Sequence, residues 1–238
     1  MNWHCPRAPR SIALLALTAI IPIASPAAAQ ESPPAIAAPA DGYQGGYFRF
    51  DYDSYGLQLW VGATHAIGGV EIASDVYVTD SFGEVDIGPQ FRLGALTLIA
   101  TLGPIYDFST QSVVAIVAPL LTTIYDSPKL YFESWLQFTF GSPFADGAED
   151  LFHTRNFALY KLNESLWAGP QLEVNYGFAE AHAITSMPVG GQVSVGYGKD
   201  NRLSLFLGYE TRELMDPATG DPMESDRLAG RVTFVHLW

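Results

Sequence analysis

Histidine side chains are the first candidates for chemistry, because hydrolases that act on lipids pair a serine nucleophile with a histidine base. Apart from His4, the chain contains His65, His153, His182 and His236. None of them belongs to a His-x-Ser sequence, so none shows the pattern expected of a lipid-acting hydrolase. We predict no catalytic residue. A lipid hydrolase that uses His153 is kept as an alternative.

Two acidic clusters could supply the oxygen ligands that calcium prefers. The first contains Asp146, Glu149 and Asp150, and the second contains Asp216, Asp221, Glu224 and Asp226. Neither cluster has the spacing of an EF-hand or of a glycine-rich calcium repeat. We therefore predict solvated loops, with no bound metal and no cofactor.

The clearest pattern is an alternation of apolar and polar residues with a period of two, which is typical of strands between two environments. In residues 166–178, Leu172 and Val174 lie on an apolar face, whereas Gln171 and Glu173 lie on the opposite one. Residues 84–93, 130–140 and 203–212 alternate in the same way. No segment shows a sustained helical period, so we expect almost no helix.

The lengths of the connections between strands give an independent indication of the fold. Tight turns fall at residues 67–69, 94–95, 126–128, 163–164 and 199–201, and the long loops at 141–151, 179–188 and 213–226 fall only between the other strand pairs. This asymmetry is typical of transmembrane barrels. The prediction is an all-β fold, a closed antiparallel up-and-down transmembrane β-barrel of twelve strands, with ten possible. The predicted strands are residues 47–53, 56–66, 70–79, 84–93, 96–107, 112–125, 129–140, 152–162, 165–178, 189–198, 202–212 and 227–238.

A Gly-Pro dipeptide recurs within three of these strands, at residues 88–89, 103–104 and 169–170. Proline cannot donate a hydrogen bond to a neighbouring strand, so within sheets it is confined to edges and bulges. Because a closed barrel has no edge strand, we expect a local bulge at each dipeptide.

The N-terminal region has the three parts of a secretory signal peptide: Arg7 and Arg10, the apolar residues 12–24, and a run of alanines that ends at Ala29. We predict a signal peptide at residues 1–29, a flexible periplasmic leader at 30–46 and the barrel at 47–238. Cleavage would remove Cys5, the only cysteine, which excludes a disulfide framework. The net charge of -13 argues against nucleic acid as a partner.

The last predicted strand ends in an aromatic residue, with Val232 and Phe234 on the same face as Trp238. This resembles the C-terminal assembly signal of bacterial outer-membrane β-barrel proteins. The resemblance implies insertion by the barrel-assembly machinery into the outer membrane of a Gram-negative bacterium, in contact with outer-membrane lipid and lipopolysaccharide. It covers a general class rather than a specific family, and it implies no functional residues.

The strand pattern also predicts which residues line the lumen. They are Trp60, Tyr77, Glu84, Asp86, Arg92, Tyr131, Glu133, Trp135, Trp167, Gln171, Glu173, Glu210, Arg212 and Arg231. Because the carboxylates in this set outnumber the arginines, a pore would favour cations. The leading hypothesis is a narrow channel or small-solute-binding barrel with a mildly cation-preferring lumen, and the sequence does not identify the solute.

The large inner side chains could simply fill a narrow barrel, or bulges could turn some of their rings outward into an interfacial girdle. Two alternative functions remain open alongside the channel. One is a non-conducting structural or surface-interaction barrel that acts through its extracellular loops. The lipid-acting hydrolase is the other alternative.

Overall fold

The computed structural model describes residues 40–54, 56–144, 148–178, 183–211 and 227–238. These residues form thirteen β-strands. The strands are β1 Gly42–Asp53, β2 Gly56–Ile67, β3 Val70–Val78, β4 Phe82–Leu93, β5 Leu96–Asp107, β6 Ser112–Asp126, β7 Leu130–Phe140, β8 Leu151–Lys161, β9 Leu166–Gly177, β10 Ala183–Ser186, β11 Pro188–Tyr197, β12 Asn201–Glu210 and β13 Leu228–Leu237. No helix among the described residues is long and apolar enough to cross a membrane.

The strands form one closed antiparallel sheet. Each strand from β1 to β9 pairs with the next, and β13 pairs with β1 from Tyr47↔Leu237 to Tyr52↔Val232, which closes the ring. The short strand β10 and the longer β11 both pair with β9 and are separated only by Met187, so they occupy one position in the ring. The predicted barrel of twelve strands is therefore confirmed, with one extra short strand.

Two segments differ from the sequence-based boundaries. Ala183–Ser186 falls within a predicted loop, but it continues the pairing along β9 beyond a register shift that follows Ile184. Strand β1 begins at Gly42, inside the segment predicted as leader, because the residues from Gly42 onward pair with β2, beginning with Gly42↔Ala66. The backbone of Trp238 also exchanges hydrogen bonds of 3.0 and 3.1 Å with Gly46. The C-terminal residue thus extends the sheet at this point.

The five tight turns lie at one end of the barrel, which we call the short-turn end. Gly68, Gly94 and Gly198 have φ values of 59°, 64° and 64°. Left-handed conformations are what the two-residue turns that contain Gly68 and Gly94 require, whereas Gly198 begins a turn of three residues. The longest connections, at 141–150 and 211–227, leave the opposite end, which we call the long-loop end.

The two faces of the wall have inverted polarity relative to a soluble protein. In β4 the apolar Val85 and Ile87 are 53% and 55% exposed, whereas Glu84 and Asp86 between and beside them are 3% and 1% exposed. Phe50 and Phe234 stack on the outer face with their rings 5.5 Å apart. An apolar outer band around a polar interior is the arrangement of a transmembrane barrel.

Only one of the three Gly-Pro dipeptides lies at a bulge. Register shifts flank Gly103, between Thr101 and Gly103 and again between Ile105 and Tyr106. At residues 88–89 and 169–170 the register is continuous, so the expectation was wrong there. A Cβ at Gly88 would lie 1.9 Å from the Ala100 carbonyl oxygen, and one at Gly169 would lie 1.8 Å from that of Ala158. Glycine is therefore required at these positions by the close approach of the neighbouring strand.

Candidate functional site

The candidate site is the lumen, which is filled with side chains at mid-height. Each of the twelve positions in the ring contributes at least one inner-face residue that is 8% exposed or less. These residues include Asp51, Trp60, Ala73, Asp86, Thr101, Val117, Glu133, Arg155, Gln171, Ser194, Phe206 and Thr233. The middle of the barrel is consequently a packed core rather than a water-filled pore.

Charged residues make up much of this core, and they are paired across the lumen. We use the term ion-pair cluster for Arg49, Asp51, Asp53, Glu133, Arg155, Glu173, Arg202 and Arg231. Asp51 is its centre and is fully buried. The Oδ2 atom of Asp51 lies 2.9 Å from Arg49, 2.9 Å from Arg155 and 3.8 Å from Arg231. These contacts join β1, β8 and β13.

The outer members extend the cluster to further strands. Glu133 of β7 lies 3.2 Å from Arg49 and 3.6 Å from Arg202 of β12. Arg231 pairs with Glu173 of β9 and lies 2.7 Å from Asp53. Because buried charges are tolerated only when they are paired, this set of contacts explains how so many ions occupy one core.

Aromatic rings stack against the arginines of the cluster. Trp135 lies between two guanidinium groups, 4.6 Å from that of Arg49 and 4.4 Å from that of Arg155. Trp60 meets Trp135 edge to face at 5.9 Å and stacks on Tyr77 at 4.3 Å. Cation–π contacts of this kind strengthen when water is excluded. These contacts form a floor of side chains across the lumen.

A second aromatic group lies beside this floor. The ring of Tyr131 is 5.5 Å from that of Trp167, and the Arg202 guanidinium lies 4.6 Å above Tyr131. Tyr131 also donates a hydrogen bond to Glu133. Trp167 therefore contacts Tyr131 rather than the pair formed by Trp60 and Trp135.

A cavity of about 570 Å³ leads from the short-turn end to this floor, and we call it the vestibule. Asp126, Glu164 and Lys199 lie around its entrance, next to the tight turns. Its inner end is lined by the residues of the floor, which are Arg49, Trp60, Glu133 and Trp135. The vestibule is large enough for a small solute, and its walls carry both charged and aromatic groups.

Three further carboxylates, Asp75, Glu84 and Asp86, lie on the inner face of β3 and β4, and we call them the acid wall. Asp75 lines the vestibule and is the cross-strand neighbour of Asp86. Glu84 is paired with Tyr77, one inner position further towards the long-loop end. Glu84 Oε2 and Asp86 Oδ1 are buried and have no hydrogen-bond partner. No ion pair joins the acid wall to any described residue.

The other predicted lumen residues have identifiable partners. Arg92 pairs with Glu71 at 3.0 Å, on the side of β4 nearest the short turns. Gln171 donates a hydrogen bond to Glu173. Glu210 accepts hydrogen bonds from the Met187 backbone at 2.7 Å and from Ser186, so it holds the bend between β10 and β11. Arg212 lies outside the described residues.

Five charged residues of the cluster were absent from the sequence-based set, and Asp53 at the end of β1 is one of them. Arg49 and Asp51 lie in β1, where Phe48, Phe50 and Tyr52 alternate with charged residues, so the signal was present in the sequence. Arg155 was harder to find because its inner-face neighbours Phe157 and Leu159 are apolar and hide the alternation. Arg202 is the second residue of β12, beside a turn.

The histidines do not form a recognisable catalytic group among the described residues. His153 Nδ1 lies 2.6 Å from the Asn175 side-chain oxygen, and His236 Nδ1 lies 3.0 Å from that of Asn201. His65 contacts the ring of Tyr43. His182 lies outside the described residues. In the described part of the chain, no histidine, cysteine, aspartate and glutamate side chains are grouped to hold a metal ion.

The described part of the loop at 141–150 is organised by Asp150. This carboxylate accepts hydrogen bonds of 3.0 Å from the backbone of Gly141 and of Ser142. These bonds, led by that from Ser142, lower the pKa of Asp150 below its ordinary value. Asp150 is thus committed to the structure of its own loop. Asp146 lies outside the described residues, as does the second acidic cluster.

The described parts of the chain therefore define a twelve-stranded barrel of the transmembrane type. No protein-family model matches the sequence, and comparison with curated proteins gives no significant match. Among solved structures, the NanC porin aligns over 80% of this chain and 98% of its own, with 10% identity and a TM-score of 0.53. The KdgM porin aligns over 81% and 98%, with 11% identity and a TM-score of 0.48. The outer membrane channel DcaP of Acinetobacter baumannii aligns over 83% and 72%, with 10% identity and a TM-score of 0.49. The predicted fold, that of bacterial outer-membrane β-barrels, is confirmed.

Proposed function

We propose that the protein is a narrow, porin-like channel of a Gram-negative outer membrane with a mild preference for cations. The vestibule is the observation that carries the proposal, because it brings a space of about 570 Å³ to the middle of the barrel. The fold shared with the NanC porin agrees with this role. We further propose export by the signal peptide at residues 1–29, and insertion through an assembly signal formed by Val232, Phe234 and Trp238.

The floor of the vestibule is the constriction that a solute would meet. It is closed in this structure, so conduction requires a side chain of the floor to move. Trp135 is the candidate, because its ring is held by Arg49, Arg155 and Trp60 through ring contacts, and its indole nitrogen has no hydrogen-bond partner. Rotation of this ring would open a path without breaking an ion pair.

The proposed cation preference follows from the composition of the inner face. Described carboxylates on it outnumber the arginines, since Asp51, Asp53, Glu71, Asp75, Glu84, Asp86, Glu133, Glu173 and Glu210 stand against Arg49, Arg92, Arg155, Arg202 and Arg231. A ring or tract of acidic side chains favours cations in a pore.

Conductance in planar lipid bilayers tests the channel. Wild-type protein is expected to produce small current steps, and Trp135→Ala is expected to enlarge them several-fold by removing the ring between the two guanidinium groups. Phe138→Ala is the matched control, because Phe138 lies on the same strand but packs against Phe152 on the outer face. It should behave as wild type. The proposal is wrong if wild type does not conduct above the bare bilayer.

The packed middle of the barrel favours a second candidate function, a non-conducting structural or surface-interaction protein. In that case wild type is silent in bilayers and Trp135→Ala conducts, because the floor is only a plug. The role would then belong to the long connections, and deletion of residues 141–151 or 213–226 should abolish binding to a surface partner while the barrel still folds.

A further inference from the structure

The carboxylates inside the barrel fall into two groups, one with arginine partners and one without. Asp51 has three arginines within 3.8 Å, and Glu133 and Glu173 each have arginine partners as well. Even Glu71, nearer the short turns, pairs with Arg92. The acid wall has no such partner among the described residues. A negative charge on the acid wall would therefore be a local excess, because no arginine of the described residues compensates it.

Burial makes this excess costly. Glu84 is 3% exposed and Asp86 is 1% exposed, and each has one carboxylate oxygen without a hydrogen-bond partner. A buried polar oxygen that lacks a partner costs free energy, and the cost is greater when the group is charged. A ligand that brings positive charge to these oxygens would remove the penalty.

The positions of the three residues form a path along the wall. Asp75 faces the vestibule, Asp86 is directly across from it on the next strand, and Glu84 is the next inner residue of β4. Successive inner-face positions on a strand are separated by roughly 7 Å. Carboxylates are thus placed at successive levels from the vestibule towards the long-loop end.

The neighbouring strand approaches these carboxylates closely. A Cβ at Gly103 of β5 would lie 1.8 Å from the Val85 carbonyl oxygen and 2.7 Å from Asp86 Oδ1, so β5 can lie against Asp86 only because this residue is glycine. The sulfur and imidazole ligands that hold transition metals are not part of the acid wall. Hard oxygen atoms at successive levels are the ligands that a partly dehydrated alkali cation uses in transit.

We propose that Asp75, Glu84 and Asp86 form a transit site for small monovalent cations, entered from the vestibule through Asp75. The inference rests on the proposed channel function for the direction of transit, but cation binding at the acid wall can be tested without conduction. Binding is weak and sequential rather than tight, because the three carboxylates are not grouped as a ready metal-ion site.

Two measurements on the full-length folded barrel test this site. The first is quenching of tryptophan fluorescence by Tl⁺, a heavy analogue of K⁺, because Trp60 stacks on Tyr77, the cross-strand partner of Glu84. Wild type should show a saturable component that K⁺ displaces. Asp75→Asn with Glu84→Gln should lose it. The control Glu71→Gln changes the charge on the same inner face and should keep it.

The second measurement is the reversal potential under a KCl gradient, in wild type or in the Trp135→Ala background. The ratio of cation to anion permeability should fall on the order of twofold or more in Glu84→Gln, and much less in Glu71→Gln, which neutralises the same number of carboxylates. Equal effects of the two neutralisations would overturn the transit site, because net charge alone would then set selectivity.

The outcomes separate the two proposals. Saturable Tl⁺ quenching without any conductance would retain the cation site and reject the channel. Conductance with quenching that does not saturate would retain the channel and reject the site. In the latter case, the carboxyl pair of Glu84 and Asp86, which lie within hydrogen-bonding reach of each other, holds a proton instead of a cation.

Discussion

Asp51 and Asp86 are chemically the same residue in two parts of one lumen, and they are buried to the same degree, at 0% and 1% exposed. Asp51 lies within the ion-pair cluster and contacts three arginines. Asp86 lies in the acid wall and has an oxygen with no partner. The comparison shows that burial does not determine what an inner-face carboxylate does. Its role depends on the charges that the opposite strands bring to it.

The difference arises from which strands face each other. The cluster is formed by β1, β7, β8, β9, β12 and β13, which carry all the arginines in it. The acid wall is formed by β3 and β4, whose one arginine, Arg92, pairs with Glu71 near the short turns. One side of the lumen is therefore cross-linked by ion pairs. The other contains the buried carboxyl groups of Glu84 and Asp86, which have no arginine partner among the described residues.

The largest expected effect is that of Asp51→Asn. The substitution keeps the shape of the side chain but leaves Arg49 and Arg155 without their shared carboxylate. Removing one partner of a buried ion pair typically costs about 3–5 kcal/mol. The free energy of unfolding should fall by that order when it is measured by urea titration of the barrel in lipid vesicles. A loss below about 1 kcal/mol, which is the range of exposed pairs, would show that the cluster is solvated and not a core.

The same change at Asp86 should have the opposite sign. Asp86→Asn replaces a buried carboxyl group that has no arginine partner, and its amide can both donate and accept hydrogen bonds. We expect the free energy of unfolding to rise by about 1 kcal/mol, since a buried unsatisfied group is replaced by one that can be satisfied. The measurement is the same urea titration. If Asp86→Asn destabilises the barrel as much as Asp51→Asn does, the acid wall has a structural partner and the contrast between the two regions fails.

Much of the barrel could be predicted from the sequence, because the alternation with a period of two repeats in most strands. In β4 and β9 the charged and amide side chains lie on one face and the large aliphatic side chains on the other, so Glu84, Asp86, Gln171 and Glu173 could be assigned to the inner face. The extra strand Ala183–Ser186 could not be predicted, because a bent strand of only four residues has the same composition as a loop. A packed lumen was only one of the readings left open, and the closed floor became evident from the structure.

The pairing inside the lumen could not be predicted. Arg49 and Glu133 are 84 residues apart in the chain and meet across the barrel. The alternation along a strand assigns a residue to the inner or the outer face of the barrel. It does not give the height of a long side chain along the barrel axis or the direction in which the side chain extends. Arg231 was assigned to the inner face, yet its contacts with Glu173 and Asp53 depend on the shear of the closed ring. The distinction between the two kinds of carboxylate therefore required the three-dimensional structure.

The smallest expected effect is that of Glu71→Gln. This variant tests whether a carboxylate stabilises the barrel when it has an arginine partner that is not buried. Glu71 has an arginine partner as the cluster acids do, but the Arg92 side chain is 51% exposed. An ion pair with an exposed partner contributes typically about 0–1 kcal/mol, and salt screens it. Glu71→Gln should therefore lower the free energy of unfolding by about 0.5 kcal/mol at low salt, and by less at high salt. Asp51→Asn should be nearly independent of salt, because its partners are buried. If Glu71→Gln costs as much as Asp51→Asn, pairing rather than burial determines the stability of the lumen, and the acid wall would be distinguished only by its missing arginine.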